Sequence, residues 1–202
     1  MYPWSSWEIL VPLTLGSVGA LIFVIYEIFI PSSPFLRLHL FRNITAAMTF
    51  LGTFLHGCIL WSLLYYLPLY YEAVKGLTAT RAGIAVFPET LTIAPASLIV
   101  GLLVARTGRF QWSILVGWAI TVLGTGMLYL LDVDTPVATW IGINIIVGLG
   151  TGMLFSGMAF SIQAAATALG QDSAFAIAMF TFFRSFGTVC LPLNSPLWKI
   201  WS

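Results

Sequence analysis

Long apolar runs alternate with short polar segments along the whole chain, and this alternation predicts its secondary structure. Six runs are separated by segments that contain Pro, Gly, Arg or Asp. The runs are continuous and do not alternate in polarity at every second residue, so they predict helices rather than half-buried strands. A helix needs about 20 apolar residues to cross the hydrocarbon core of a bilayer. We therefore predict membrane-spanning helices at about residues 9–30, 46–70, 83–105, 112–131, 139–162 and 175–192.

The composition indicates that lipid surrounds most of these helices. Hydrophobic residues make up 59% of the 202 residues and charged residues 7%, whereas about 25% of the residues in a water-soluble domain are charged. Backbone groups in hydrocarbon must be hydrogen-bonded internally, which permits only helices or a closed barrel, and the long continuous runs are not the short alternating strands of a barrel. The chain is therefore predicted to be an all-α polytopic membrane protein. It has five transmembrane helices and a weaker sixth, which carries Arg184 near its centre.

The few charged and reactive residues exclude several classes of function. A formal net charge of +1 provides no basic surface for nucleic acid. The two cysteines, Cys58 and Cys190, both lie in apolar runs and supply neither a disulfide framework nor a metal cluster. The chain contains no paired carboxylates and no Ser/His/Asp constellation above chance. We therefore expect no enzyme, no metal site and no cofactor.

Basic residues are distributed unequally between two alternating sets of loops. The first set contains Arg37, His39, Arg42, Arg106 and Arg109. The second set contains Lys75 and Arg81, together with Glu72, Asp132 and Asp134. Cytoplasmic loops carry an excess of Lys and Arg. We therefore predict that the first set is cytoplasmic and that the N-terminus lies outside.

Ionisable side chains inside the apolar runs are the first candidates for a functional site, because a charge at the bilayer centre costs at least about 2.5–3.5 kcal/mol on insertion scales. His56 shares one helical face with Thr49 and Thr53. It is either a neutral histidine bonded to a neighbouring helix or a group with a proton or substrate role. Glu89 follows Pro88 near the start of the third run. It is either a carboxylate that binds a proton within the bundle or an interfacial residue that reaches water.

Two further polar residues lie in the last two runs. Arg184 either lines a substrate pathway, where it meets an anionic group, or pairs with a carboxylate on a helix that is missing from this chain. Asn144 lies one turn before Gly148, Gly150 and Gly152. No strand precedes these glycines, so they predict close helix packing rather than a nucleotide-binding loop. Asn144 and Arg184 join the histidine and the glutamate as candidates for a substrate or proton pathway.

Several segments of the chain resemble the fungal drug:proton antiporters of the major facilitator superfamily that have fourteen spans. Residues 64–70, LYYLPLY, carry the most specific part of this resemblance. Residues 2–7, YPWSSW, and residues 52–57, GTFLHG, are also similar to the family. The resemblance extends over residues 1–187. Residues 188–202 depart from the family pattern, and we interpret them as an atypical C-terminal tail of a truncated or altered sequence.

The segment 101–109, GxxxxRTGR, resembles the short cytoplasmic loop that joins paired helices in this family. The resemblance implies that Arg106, Gly108 and Arg109 belong to a cytoplasmic gate, in which the arginines clamp helix ends.

The resemblance also implies a fold and a function. The fold is most of the C-terminal bundle of a major facilitator, and the function is secondary active, proton-coupled efflux of small organic molecules. The protein would be a multi-pass protein of the plasma membrane whose partners are the lipid bilayer, a small-molecule substrate, protons and a missing N-terminal half. The alternative is a truncated membrane protein that does not transport and is either inert or paired with another subunit.

Overall fold

All regular secondary structure is helical in the part of the chain that the computed structural model describes, residues 6–29, 43–132, 134–170 and 173–194. A 3₁₀ turn, Leu128–Leu130, follows the fifth helix. The predicted all-α fold is confirmed. The helices are α1 (Trp7–Phe29), α2 (Ile44–Ala73), α3 (Ala79–Ala85), α4 (Phe87–Thr107), α5 (Gln111–Met127), α6 (Val137–Ala168) and α7 (Ser173–Asn194).

Four helical segments of the described residues are long and apolar enough to cross a membrane. They are α2, α3 with α4, α5 with its 3₁₀ turn, and α6. These segments correspond to the predicted second to fifth spans. α1 and α7 contain shorter apolar stretches, Leu10–Gly19 and Ser173–Val189. The first and sixth spans therefore stay predictions.

The predicted third span, residues 83–105, differs from the structure because it is divided between two helices. α3 ends and α4 begins on either side of Val86. Pro88 has no N–H to donate to the carbonyl of Ile84, and its ring crowds that carbonyl. The N–H groups of Glu89 and Thr90 instead both donate to the carbonyl of Val86, at 3.1 and 3.2 Å. The break therefore follows from one proline.

The chain divides into two compact units. One comprises Met1–His39 with Ser195–Ser202 and contains α1; the other is Leu40–Asn194 and contains α2 to α7. α1 is an apolar helix with Pro12 in its second turn. All the candidate site residues belong to the second unit, whereas Arg37, His39 and Arg42 of the predicted cytoplasmic loops lie outside the described residues.

Glycines allow α6 to pack closely against two neighbouring helices. A Cβ at Gly148 would collide with the backbone of Glu89 in α4, and a Cβ at Gly152 would collide with α4 one turn later. A Cβ at Gly150 would collide with the backbone of Thr121 in α5. The interpretation of these glycines as packing positions is confirmed. α6 therefore lies between α4 and α5 with almost no space between the backbones.

The helices of this second unit alternate in direction. α6 runs parallel to α4, because Gly152 faces Ile93 and, four residues later on both helices, Ser156 donates to the carbonyl of Ser97 at 2.7 Å. In the contacts of α2 and α5 with α6, residue numbers increase along one helix as they decrease along the other. Both helices are therefore antiparallel to α6. These relative directions agree with a chain that crosses the membrane once in each predicted span.

α2 and α7 cross at two further glycines, and they run parallel because Phe50 and Phe54 of α2 pair in the same order with Phe183 and Phe186 of α7. A Cβ at Gly57 would collide with the carbonyl oxygen of Arg184, and a Cβ at Gly187 would collide with that of Phe54. The crossing places the Arg184 backbone directly against α2. α7 continues past Gly187 to Asn194, so the predicted tail begins within a helix, and residues 195–202 lie outside the described residues. The domain division after residue 187 stays a prediction.

Candidate functional site

His56 is fixed in the interior of the second unit by a bond to α6. Its side chain is 1% exposed. Its Nε2 lies 3.0 Å from the carbonyl oxygen of Thr151, and because a carbonyl oxygen only accepts, Nε2 donates this hydrogen bond. Nδ1 is enclosed and has no hydrogen-bond partner among the described residues. One ring nitrogen thus anchors the imidazole, and the other keeps its capacity to bind a proton.

The two threonines that precede His56 on its helical face also point at α6. The Thr49 and Ser161 hydroxyl oxygens are 2.9 Å apart, and Thr53 Oγ1 lies 3.9 Å from the sulfur of Met158. The predicted polar face of α2 therefore faces the protein interior. Thr49 and Ser161 also line a cavity of about 440 Å³ between α2, α5 and α6.

Arg184 lies beside this group on α7. Its guanidinium carbon is 4.8 Å from the ring centre of Phe155 on α6, within the range of a cation–π interaction. Nε is enclosed without a hydrogen-bond partner among the described residues, but the side chain as a whole is only half-buried. Its positive charge is close enough to interact electrostatically with His56. His56, Thr151, Phe155 and Arg184 are named here the cationic cluster.

Glu89 belongs to a second group nearer the start of α4. It lies in the first turn of that helix and is 1% exposed. Its Oε2 has no hydrogen-bond partner among the described residues. The protein encloses the carboxyl group, so the interpretation of Glu89 as an exposed interfacial residue is not the arrangement found. The carboxyl group is close enough to Tyr71 for an electrostatic interaction.

Asn144 joins three helices at this second group. Its Nδ2 donates to the Tyr71 hydroxyl at 3.0 Å and to the carbonyl of Ala85 at 3.1 Å. Ala85 is the last residue of α3, and the proline-induced break leaves its carbonyl available to α6. Asn144, Tyr71 and Glu89 are named here the carboxyl cluster. Tyr71 is fully buried, whereas Tyr65, which is also near the end of α2, is 61% exposed.

The two clusters lie at different depths along α6. Seven residues separate Asn144 from Thr151, which is about 10 Å at 1.5 Å per residue. Among the described residues no hydrogen bond joins Glu89 to His56. The structure therefore brings the four interior candidates, His56, Glu89, Asn144 and Arg184, into two groups that share α6 as their common wall.

The three residues of the predicted gate loop lie apart from both clusters. Arg106, Gly108 and Arg109 are all exposed. Gly108 ends α4 with φ +66°, a left-handed conformation that glycine adopts without strain. Its N–H donates to the Val104 carbonyl at 2.8 Å. Gly108 and Arg109 line a surface cavity of about 460 Å³ with the first residues of α5, and within the described residues neither arginine has a carboxylate partner.

Sequence reasoning missed Tyr71, Thr151 and Phe155. Thr151 takes part through its backbone carbonyl, which every residue possesses, and Phe155 is one of many aromatic residues in the chain. Tyr71 lies near other tyrosines at the end of α2, and tyrosine is common at the membrane interface. No local signal separated these residues from their neighbours, because each acquires its partner from a different helix.

Comparisons with known proteins assign the chain to a family. Residues 4–192 match the family described as Major Facilitator Superfamily. The chain is 44% identical over 186 residues to MFS transporter L2 of a Phoma species, covering 92% of this chain and 31% of the relative. It is 38% identical over 188 residues to the acurin A biosynthesis cluster MFS-type transporter of Aspergillus aculeatus, covering 93% and 33%.

A third relative, the MFS-type efflux pump LUC4 of a Fusarium species, is 35% identical over 193 residues, covering 93% of this chain and 33% of the relative. The chain thus spans about a third of the length of the curated relatives that it matches. No solved structure matches the chain significantly. The family match extends over most of the residues that form α1 to α7 and includes both clusters on α6. The apolar helical bundle is consistent with it, and the chain belongs to the major facilitator superfamily.

Proposed function

We propose that this chain takes part in secondary active, proton-coupled efflux of small organic molecules across the plasma membrane. The observation that carries the proposal is the burial of ionisable side chains inside an apolar bundle, with polar atoms that have no partner among the described residues. Such groups are costly in a membrane protein and mark substrate or proton pathways. The relatives described as transporters and efflux pumps support the same function.

The carboxyl cluster supplies the proposed proton-binding group. Glu89 can take up and release a proton, and the surrounding apolar helices make the neutral form compatible with its site. His56, whose partner Thr151 lies about 10 Å along α6 from Asn144, is the second group proposed to exchange a proton. A water-linked relay between the two depths connects them. Lipid, protons and the organic substrate are therefore the proposed partners.

Transport in this kind of fold requires two halves that rock about a central site. We propose that a further half-bundle completes the pathway and that Arg106, Gly108 and Arg109 form its cytoplasmic gate. The second candidate function is a membrane protein that does not transport, inert or paired with another subunit.

A chimera distinguishes the two candidates. The matching third of MFS transporter L2 is replaced by this chain, and the chimera is reconstituted in proteoliposomes with an imposed proton gradient. The probe is a fluorescent dye that unmodified L2 transports under the same conditions. We expect gradient-dependent dye transport by the chimera, and its loss when a protonophore collapses the gradient.

The 202-residue chain alone is assayed in parallel as the matched sample. A well-folded chimera that transports no dye, while L2 does, would contradict the proposal and favour the second candidate. Dye transport that persists without a gradient would contradict proton coupling only.

A further inference from the structure

The cationic cluster has no counter-charge of its own. α2, α6 and α7 form its walls, and their described residues contain a single carboxylate, Glu72. Glu72 lies sixteen residues from His56 on α2, about 24 Å at 1.5 Å per residue. Arg184 therefore places a permanent positive charge in an apolar region without a carboxylate partner among the described residues.

The contacts that Arg184 makes do not satisfy its hydrogen-bonding capacity. The guanidinium carbon lies over the Phe155 ring, 4.8 Å from its centre, and this contact supplies no conventional hydrogen bond. Guanidinium has five N–H donors in a planar fork, and Nε has no partner among the described residues. The half-buried side chain leaves part of this fork accessible.

A planar fork that contacts an aromatic ring and keeps some of its donors accessible is suited to a planar anion. Carboxylates meet arginine with two parallel N–H···O bonds, which is the strongest and most directional pairing available to this side chain. The charge and the geometry thus favour the same ligand chemistry.

We propose that Arg184, with His56 beside it, binds the carboxylate of an organic acid, so that organic acids are the preferred substrates of this half-bundle. The substrate class rests on the efflux function proposed above, but binding of an acid does not. The apolar surroundings accept the hydrocarbon part of such a molecule, and Arg184 fixes its charged end. The Nε2 atom of His56 is already bound to Thr151, so Arg184 supplies the charge that holds the carboxylate.

A pair of matched probes tests the site directly. The full 202-residue chain is placed in phosphatidylcholine nanodiscs, and binding of pyrene-1-butanoate and pyrene-1-butanamide is measured by fluorescence against empty nanodiscs. The two probes share the ring and the chain and differ in the charge of the terminal group. We expect the acid to bind about tenfold more tightly or better, as for hydrogen bonds to charged groups.

Three variants assign the preference to a residue. Arg184→Gln removes the charge and should bind both probes equally, whereas Arg184→Lys keeps the charge without the fork and should retain a smaller preference. Arg81→Gln removes an exposed arginine of α3 and should keep the full preference. Circular dichroism checks that each variant retains its helix content. Equal binding of both probes by the unmodified chain, or an unchanged preference in Arg184→Gln, would overturn the proposal.

The chimera with MFS transporter L2 identifies the source of the carboxylate. If a transported acid is the ligand, Arg184→Gln should impair transport of the acid probe and spare that of the amide. Equal loss of both would assign Arg184 to a carboxylate of the protein itself and contradict an acid-binding site. A chimera that transports neither probe would count against the efflux function, while the nanodisc result still decides the binding site.

Discussion

Glu89 illustrates how the surroundings of a single residue decide its role. Among the carboxylates whose side chains the structure describes, Glu89 is buried, whereas Glu72, Asp132 and Asp134 are exposed. All of them are chemically equivalent in the sequence. The difference arises from α4, whose first turn is pressed against Gly148 of α6. This enclosure is the reason why we propose Glu89, rather than an exposed carboxylate, as the proton carrier.

The substitution Glu89→Gln tests this role at the residue scale. Glutamine keeps the shape of the side chain but cannot exchange a proton. In the chimera described above we expect proton-driven dye transport to fall to the level measured with a protonophore, while dye binding changes by less than about twofold.

The control is Glu72→Gln, which removes an exposed carboxylate from the end of α2 and should leave transport unchanged. Full proton-driven transport by Glu89→Gln would remove Glu89 from the coupling mechanism.

At the scale of elements, the glycines differ in whether a neighbouring helix packs directly against them. Gly117 and Gly124 of α5 face α6 closely. A Cβ at Gly126, which is also in α5, would meet no atom of the described structure within 4 Å. Composition alone does not separate the two kinds, because the difference lies in what stands opposite each glycine.

A pair of substitutions on α6 tests this distinction. In Gly148→Ala the new methyl group would overlap the backbone of α4, and overpacking of this kind destabilises by about 1–3 kcal/mol. In Gly142→Ala the methyl group meets open space, and alanine in a helix interior stabilises by about 0.5–1 kcal/mol relative to glycine.

Thermal unfolding in detergent, followed by circular dichroism, should therefore show a lower midpoint for Gly148→Ala and an equal or higher one for Gly142→Ala. Equal midpoints for the two variants would mean that α4 and α6 do not approach as closely as the structure indicates.

At the scale of the whole molecule, the direction of each helix relates the fold to the membrane. The paired rings of Phe50 with Phe183 and of Phe54 with Phe186 show that α2 and α7 are parallel to each other. α4 and α6 are also parallel to each other, whereas α2 and α5 are antiparallel to α6. These relations fix the relative topology of the second unit. The absolute orientation rests on the excess of arginine in one set of loops and stays a prediction.

Cysteine labelling in intact cells tests that orientation. A background with Cys58 and Cys190 replaced by alanine carries one new cysteine at a time. We expect an impermeant maleimide added outside to label Lys75→Cys and Asp134→Cys, because both positions lie in the predicted outer loops.

The same reagent should label Arg106→Cys and Arg109→Cys only after the cells are permeabilised. Labelling of the two arginine positions in intact cells would reverse the orientation, and it would also remove Arg106 and Arg109 from a cytoplasmic gate.

The sequence by itself determined the class of the protein and the approximate positions of its helices. A long apolar run has few alternatives to a helix in lipid, because its backbone groups must bond within the segment. The second to fifth spans and the polar face of α2 followed from this constraint and from helical periodicity. So did the close packing at residues 148–152, since small residues are what a tight helix interface requires.

The tertiary structure decided which polar residues meet. Arg184 and His56 are 128 positions apart in the sequence, and only the parallel crossing of α2 and α7 at Gly57 and Gly187 brings them together. Asn144 reaches the carbonyl of Ala85 because Pro88 interrupts the predicted third helix. These pairings depend on helix directions, crossings and breaks that no local pattern encodes. The grouping of the interior residues into a cationic and a carboxyl cluster therefore emerged only when the helices packed around α6.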